Sequence, residues 1–461
     1  MNFDRLHNSS LEALDRGSFF HPFTSIADHQ KGAPRIVASA DGVYVTDSKG
    51  RRCIDGAAGL WCVNVGYGRE EIVEAMTRQA SMLPFAHSFT GIANEPAICL
   101  ADRVLQWAPP GMSKVFFGNS GSDANDTNIK LVWYYNNLRG RPLKKKIIAR
   151  ERAYHGVTIG AGSLTGLTNC HEAFDLPLPQ VIRTLSVDQY RGRPDGMSEG
   201  EFSTYLADQL EALILREGPD TIAAFIAEPL MGTGGVLPPP EGYFPKIQAV
   251  LDRYDILMIA DEVICGFGRL GESFGSSLYG IRPDIMTLAK GLSSGYQPIS
   301  ASVVGERIWE VLVDNADKMA SFAHGFTYSA HPVAAAAALA NLDIIERENL
   351  VGAAKTAGVA LKAALIKALG DHPLVGDIRG DGLMLGVELV ADKATKRPLD
   401  PSLKAPGQIV ALGYEEGVIV RPLNNVIAMS PPLTLSVNDI AVLVEGLRRA
   451  FDRALDHFGA S

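Results

Sequence analysis

Four short segments carry side chains whose chemistry is complementary. Lys290 closes the apolar run that begins at Asp284 and precedes a Gly-Leu-Ser-Ser-Gly loop. A lysine at the mouth of a buried strand is partly desolvated, which lowers its pKa, and a neutral amine attacks carbonyls to form Schiff bases. Most lysines after a strand are solvated surface charges, so Lys290 gains meaning only from its company. In the segment from Phe117 to Asn125 a strand runs through Gly118, Asn119, Ser120, Gly121 and Ser122 into a helical pattern. Backbone N–H groups at such a start favour a phosphate and the serines add donors, although N-capping alone explains the same residues.

Asp261 follows the apolar run from Ile256 to Ala260. A carboxylate there must be paired or hydrogen-bonded. It fits a metal ligand, a structural charge or the partner of a protonated heterocycle, and the lack of any GxxxxGK[ST] argues against a nucleotide site. Tyr154, in Arg152-Ala153-Tyr154-His155-Gly156, is either an aromatic cover for a flat ligand or a core tyrosine. His155 has no metal-ligating neighbours in sequence and is taken as a satisfied histidine. A phosphate cradle, an aromatic cover, an aspartate for a ring nitrogen and a lysine for an aldehyde are together the kit for pyridoxal phosphate.

The elements that must position these groups alternate along the middle of the chain. Strands are expected at 115–117, 146–149, 221–227, 256–260, 285–289 and 299–304, with helices at 124–138, 202–216 and 243–254. Apolar strands separated by helices predict a mostly parallel sheet covered on both faces, with ligands at the carboxyl ends of its strands. The segment from Val43 to Asp55 predicts a hairpin turning at Ser48-Lys49-Gly50. Strands are expected at 384–389 and 418–421, a loop at Leu237-Pro238-Pro239-Pro240, and an Ala-rich helix at 333–340 with Pro332 in its first turn. The chain is therefore expected to form an α/β protein: a large domain at 66–335 with a mostly parallel seven-stranded sheet, and a smaller α+β domain from 1–65 and 336–461.

With 461 residues, 46% of them hydrophobic and 21% charged, the chain can bury a large core. Its net charge of −9 and single dense basic run, Lys144-Lys145-Lys146, speak against nucleic acid; the run is expected to be a solvated strand entrance. No stretch approaches the roughly 18 apolar residues of a membrane span. Asp4, Arg5 and Glu12 precede any long apolar stretch, so no secretory signal is visible. Five scattered cysteines without a CxxC pair predict reduced, buried thiols in a cytoplasm and no metal site.

The segment from Asn119 to Ala124, Tyr154-His155-Gly156, Ala260-Asp261-Glu262-Val263 and Leu288-Ala289-Lys290-Gly291 together resemble the class III aminotransferases, in order and spacing, over about 20–433. The resemblance implies the fold type I of pyridoxal-phosphate enzymes. It implies that Lys290 binds the cofactor aldehyde and later moves the substrate proton, and that Asp261 keeps the ring nitrogen protonated. Val263 and Tyr154 would flank the ring, Ser120, Gly121 and Ser122 would take the phosphate, and Glu228 would stand near ring and aspartate. The loop Gly325-Phe326-Thr327-Tyr328 resembles one whose threonine reaches the neighbouring subunit's phosphate, which implies a homodimer with shared sites, or a tetramer built from it.

Family members that use 2-oxoglutarate carry an arginine before a C-terminal Pro-Pro-Leu, and Ala428 stands at that place here. Arg421, in Val420-Arg421-Pro422, is similar to the mobile arginine of the ω-amine:pyruvate aminotransferases, where a planar guanidinium clamps the carboxylate of pyruvate. A surface arginine in an ion pair is the plain alternative. Leu60, Trp61, Phe23, Ile264 and, from a partner chain, Phe89 resemble pocket walls suited to amines with hydrocarbon bodies. A core position is the plain alternative for Trp61. The expected reaction moves an amino group from an ω-amine, polyamine or ω-amino acid to pyruvate. The rivals are 2-oxoglutarate as acceptor, an aminomutase or decarboxylase on the same scaffold, and a non-catalytic cofactor-binding sensor.

Overall fold

The computed structural model describes residues 10–32, 34–318 and 321–459; Asp4 and Arg5 lie outside them. Seven strands form the central sheet, in the order Met112–Gly118, Ser300–Gly305, Ile285–Leu288, Leu257–Asp261, Ile222–Ala227, Lys146–Arg150, Val181–Thr184. Only Ser300–Gly305 runs against the others. Every residue of the four strands from Ile222–Ala227 to Ser300–Gly305 is buried. That is why they read as continuous apolar runs rather than alternating ones.

The helices begin earlier than the apolar periodicity suggests. Gly121–Leu138 and Glu199–Glu217 start three residues ahead of their expected positions because Ser120 and Ser198 cap them, each in a reciprocal box with Asp123 or Glu201. The expected helix at Pro332 is found as Pro332–Arg347, and the Pro-rich segment is the loop before Tyr243–Arg253.

Four sequence expectations change. The edge strand Val181–Thr184 was not foreseen, since four half-polar residues carry little signal. Asp261 is the last residue of its strand rather than the first beyond it, and Lys290 opens a short 3₁₀ turn after a strand that ends at Leu288. The segment 418–421 is not one strand. Val418–Ile419 pairs in parallel with Arg52–Asp55 of the N-terminal hairpin, whereas Arg421–Leu423 joins Val426–Met429 in another sheet. The basic run leads into a strand as expected but is only partly solvated, with Lys144 buried and Lys145 and Lys146 half-buried. Lys144 Nζ is spent on the carbonyls of Tyr254 and Asp255, at 3.0 and 2.7 Å, and Lys146 pairs with Glu217 at 2.8 Å.

The buried Arg269 ties the C-terminal part to the centre. Its guanidinium donates to the carbonyls of Leu383 and Pro431 and, at 2.7 Å, to Asn64 Oδ1. Among the described residues no single helix is long and apolar enough to cross a membrane. The pair Pro332–Arg347 and Leu350–Leu369 meets that length and composition only jointly, across a 63° bend.

Candidate active site

One cavity of about 340 Å³ opens where the central strands end. Lys290 follows Ile285–Leu288, Asp261 ends Leu257–Asp261, Glu228 follows Ile222–Ala227 and Tyr154 follows Lys146–Arg150. Gly121 and Ser122 begin the helix that leaves Met112–Gly118. Parallel strands thus deliver distant residues to one edge of the sheet.

Lys290 adopts a left-handed backbone, φ 43°. A non-glycine residue held there carries strain of about 1–3 kcal/mol, which the surrounding turn must offset. Burial holds its amine below the ordinary lysine range, with the Asp261 charge acting in the opposite sense. Burial likewise pushes up the Glu228 carboxyl, whose oxygens accept from the Tyr154 N–H at 3.1 Å and the Gly232 N–H at 2.7 Å. Glu228 therefore fixes the backbone beneath Tyr154, whose phenol burial also pushes upward.

The helix start fits a phosphate. First-turn N–H groups lack intrahelical acceptors, and Gly121 and Ser122 both line the cavity. A Cβ on Gly121 would sit 2.9 Å from Val263 Cγ2, so only glycine keeps this cradle open beside the valine. The Ser122 hydroxyl accepts from the Val157 N–H at 3.1 Å, which leaves its own proton for an anion. Ser120 lines the cavity too; its hydroxyl accepts from the Asp123 N–H at 3.2 Å as the helix cap, which likewise leaves its own proton for an anion. The cradle, the carboxylate of Asp261, the face of Tyr154 and the amine of Lys290 fit pyridoxal phosphate.

Two residues expected at this chain's own site, Trp61 and Phe23, lie elsewhere. Trp61 is buried, 1% exposed, and does not line the cavity; it backs Arg421, whose guanidinium lies 5.3 Å from the ring centre. Leu60 and Ile264 do line it. Phe23 is 72% exposed and does not line the cavity; Phe89, Phe326 and Thr327, expected at a partner's site, do not line this chain's cavity either. Phe89 instead packs near Gly325, at the exposed loop that carries Thr327. All five thiols are free, but Cys99 is exposed and Cys62 half-buried, so only Cys53, Cys170 and Cys265 behave as buried hydrophobes.

The sequence reading missed His155 and Asn125. His155 Nδ1 meets Asp261 Oδ2 at 2.8 Å, and Asn125 Nδ2 reaches the same oxygen at 3.0 Å. The Val263 N–H donates to Oδ1 at 3.1 Å. A signal for Asn125 existed: Ser122, Asn125 and Asn128 recur every three residues along one helix, which is one face. For His155 the signal was adjacency to Tyr154.

Glu262, next to Asp261, is wholly buried and accepts from the Gly275 and Ser276 N–H groups at 2.9 and 2.6 Å and from the Ser276 hydroxyl. Burial pushes its carboxyl from 4.5 up to about 7. Across that interval the folded chain binds more protons at this group than the unfolded chain, so its contribution to stability falls as pH rises. The loss amounts to about 3 kcal/mol at most. Glu262→Gln removes this dependence. Thermal midpoints of wild type and variant should converge or cross in the variant's favour as pH rises through that window; a constant difference would contradict the assignment.

The class-III aminotransferase family model matches residues 25–451. Among curated relatives, the diaminobutyrate–2-oxoglutarate transaminase of Halomonas elongata is 48% identical, with 96% of each chain covered. The mitochondrial gamma aminobutyrate transaminase 1 of Solanum lycopersicum is 47% identical over 94% of this chain and 84% of its own. Among solved structures, the omega transaminase from Pseudomonas jessenii in complex with PMP is 46% identical, covering 98% of this chain and 99% of its own, with a TM-score of 0.96.

Proposed function

Since the chain belongs to the class III aminotransferases, enzymes of fold type I that use pyridoxal phosphate, we propose that it moves the amino group of an ω-amine, diamine or ω-amino acid to pyruvate, releasing an aldehyde or ketone and L-alanine in alternating half-reactions. The bound cofactor supplies an aldehyde for amines and a protonated ring that accepts electron density. Asp261 holds the ring-nitrogen proton. Lys290 Nζ, kept low in proton affinity by burial, takes the proton from the substrate's amine-bearing carbon. The N–H groups of Gly121 and Ser122 hold the phosphate, and Val263 and Tyr154 exclude water from the ring faces.

Arg421 carries the choice of acceptor. It lines the cavity, and among the described residues its guanidinium has neither a carboxylate partner nor a hydrogen bond. It stands directly opposite Ala428 in the strand pair. A cationic fork without an anion, facing the cavity, suits one substrate carboxylate. The other cations and histidines of the lining are Lys290, committed to the cofactor, and His155, committed to Asp261. The second carboxylate of a dicarboxylate therefore has no cationic partner in the lining, which favours pyruvate. The name of the Halomonas relative favours 2-oxoglutarate instead. Leu60 and Ile264 suit the hydrocarbon body of the donor, and relatives named for diaminobutyrate and gamma aminobutyrate support a short-chain amino compound as donor.

A homodimer in the cytoplasm completes this reading. Phe85, Phe89 and Tyr328 are exposed around the loop of Thr327, and so large an apolar surface suits a second copy that receives Phe326 and Thr327 at its own cofactor. The deciding experiment is a panel of amines (β-alanine, taurine, 4-aminobutyrate, putrescine, a simple aromatic amine) against pyruvate and 2-oxoglutarate, read as alanine or glutamate formed. Alanine at least tenfold faster than glutamate is expected; glutamate as the faster product overturns the pyruvate assignment.

A further inference from the structure

Asn125 is fully buried one turn into the helix that starts at Gly121, and every polar atom of its amide is engaged. Nδ2 donates to the His155 carbonyl at 2.7 Å and to Asp261 Oδ2 at 3.0 Å. Oδ1 accepts from the Thr287 hydroxyl at 2.7 Å, and that hydroxyl accepts from Asn128 Nδ2 at 2.8 Å. The amide has one workable orientation, because a carbonyl and a carboxylate both require donors. Thr287 lies three residues before Lys290 on the neighbouring strand. One side chain thus joins the phosphate-facing helix, the backbone after Tyr154, the carboxylate of Asp261 and the strand that delivers Lys290.

We propose that Asn125 is a positioning residue for the transamination, which holds the Asp261 carboxylate with a single acceptor site free for the cofactor ring. A carboxylate offers about four lone-pair sites. On Asp261, Oδ2 is taken by His155 and Asn125, and Oδ1 by the Val263 N–H, which leaves one site on Oδ1. Three donors from three segments prevent rotation. Without Asn125 the carboxylate keeps only His155 on Oδ2, a burial site for its charge becomes poorer, and it can turn away from the cavity. The inference rests on the pyridoxal-phosphate assignment.

Three variants of the holoenzyme test it: Asn125→Ala, Asn125→Asp and Thr287→Val. The readouts are the pH at which the bound cofactor's absorbance changes, the dissociation constant for pyridoxal phosphate, and kcat and KM in each half-reaction. Asn125→Asp sets a second carboxylate beside the first, where like charges resist joint ionisation. It should move the absorbance transition by about one pH unit or more and lower kcat roughly 10- to 100-fold, as loss of a charged hydrogen bond does. KM for pyruvate should stay within about threefold, because Arg421 is untouched. Thr287→Val, which frees the Asn125 carbonyl and Asn128 Nδ2 but leaves both Asn125 donors on their acceptors, should shift the same readouts in the same direction by less. An unchanged absorbance transition and kcat, with only a lowered thermal midpoint, would mean that Asn125 is merely structural and would overturn the proposal. If neither Asn125 variant folds, Thr287→Val decides by the same criterion. A wild type that binds no pyridoxal phosphate would overturn the cofactor reading itself, which separates that failure from this one.

Discussion

Lys290→Ala leaves a protein that still binds pyridoxal phosphate but shows no absorbance of the lysine-bound cofactor and almost no turnover. The binding survives because the Gly121–Ser122 cradle, Asp261 and Tyr154 are all separate from the lysine. The turnover is lost twice over. The chain loses the amine that holds the aldehyde, and it loses the one lining group whose burial keeps an amine ready to accept a proton. Proton transfer by a positioned base contributes on the order of 10²–10⁴-fold by itself, so the variant should fall at least that far. The absorbance spectrum and single-turnover rates with an amine measure both effects. Retention of colour and turnover together would remove Lys290 from the centre of the reaction.

Arg421→Ala raises KM for pyruvate roughly 10- to 100-fold, the equivalent of about 1.5–3 kcal/mol for hydrogen bonds to a charged group. The same change should alter KM for an apolar amine by less than about threefold. The asymmetry follows from the site: among the described residues the guanidinium has no carboxylate partner to lose, so its removal is felt mainly by a ligand that brings a carboxylate. Burial lowers the arginine's pKa but leaves it charged throughout the working range. Arg421→Lys should rescue little, since a point charge offers no parallel pair of bonds and stacks less well on Trp61. Steady-state constants for pyruvate and an aromatic amine are the measurement. Equal losses for both would show that Arg421 supports the pocket wall instead of clamping a carboxylate.

The cofactor end of the site was legible because its signals are local. Each of Gly121, Tyr154, Asp261 and Lys290 sits where a strand meets its loop, and an apolar run broken by a single polar residue is visible without any knowledge of the partner strands. The substrate end was less so. Trp61 was read from resemblance as a pocket wall, yet it lies beneath Arg421, a relation set by pairing and packing among residues far apart in the chain. His155 passed as an ordinary core histidine because its partner, Asp261, is 106 residues away. The strand at 418–421 was read as one piece because its apolar pattern is continuous, although the chain changes sheets between Ile419 and Arg421.

What the sequence determined alone is therefore the set of chemical parts: an amine, a carboxylate, an aromatic face and a phosphate-binding helix start, each made by a strand and the few residues after it. The tertiary structure decided how those parts act on one another. It set Asn125 and His155 on one oxygen of Asp261, left Arg421 at the cavity with no carboxylate partner among the described residues, and put Thr327 on an outer surface. Local periodicity records which residues a strand end presents. Only the pairing of the strands, fixed by burial of the whole sheet, records what each of them meets.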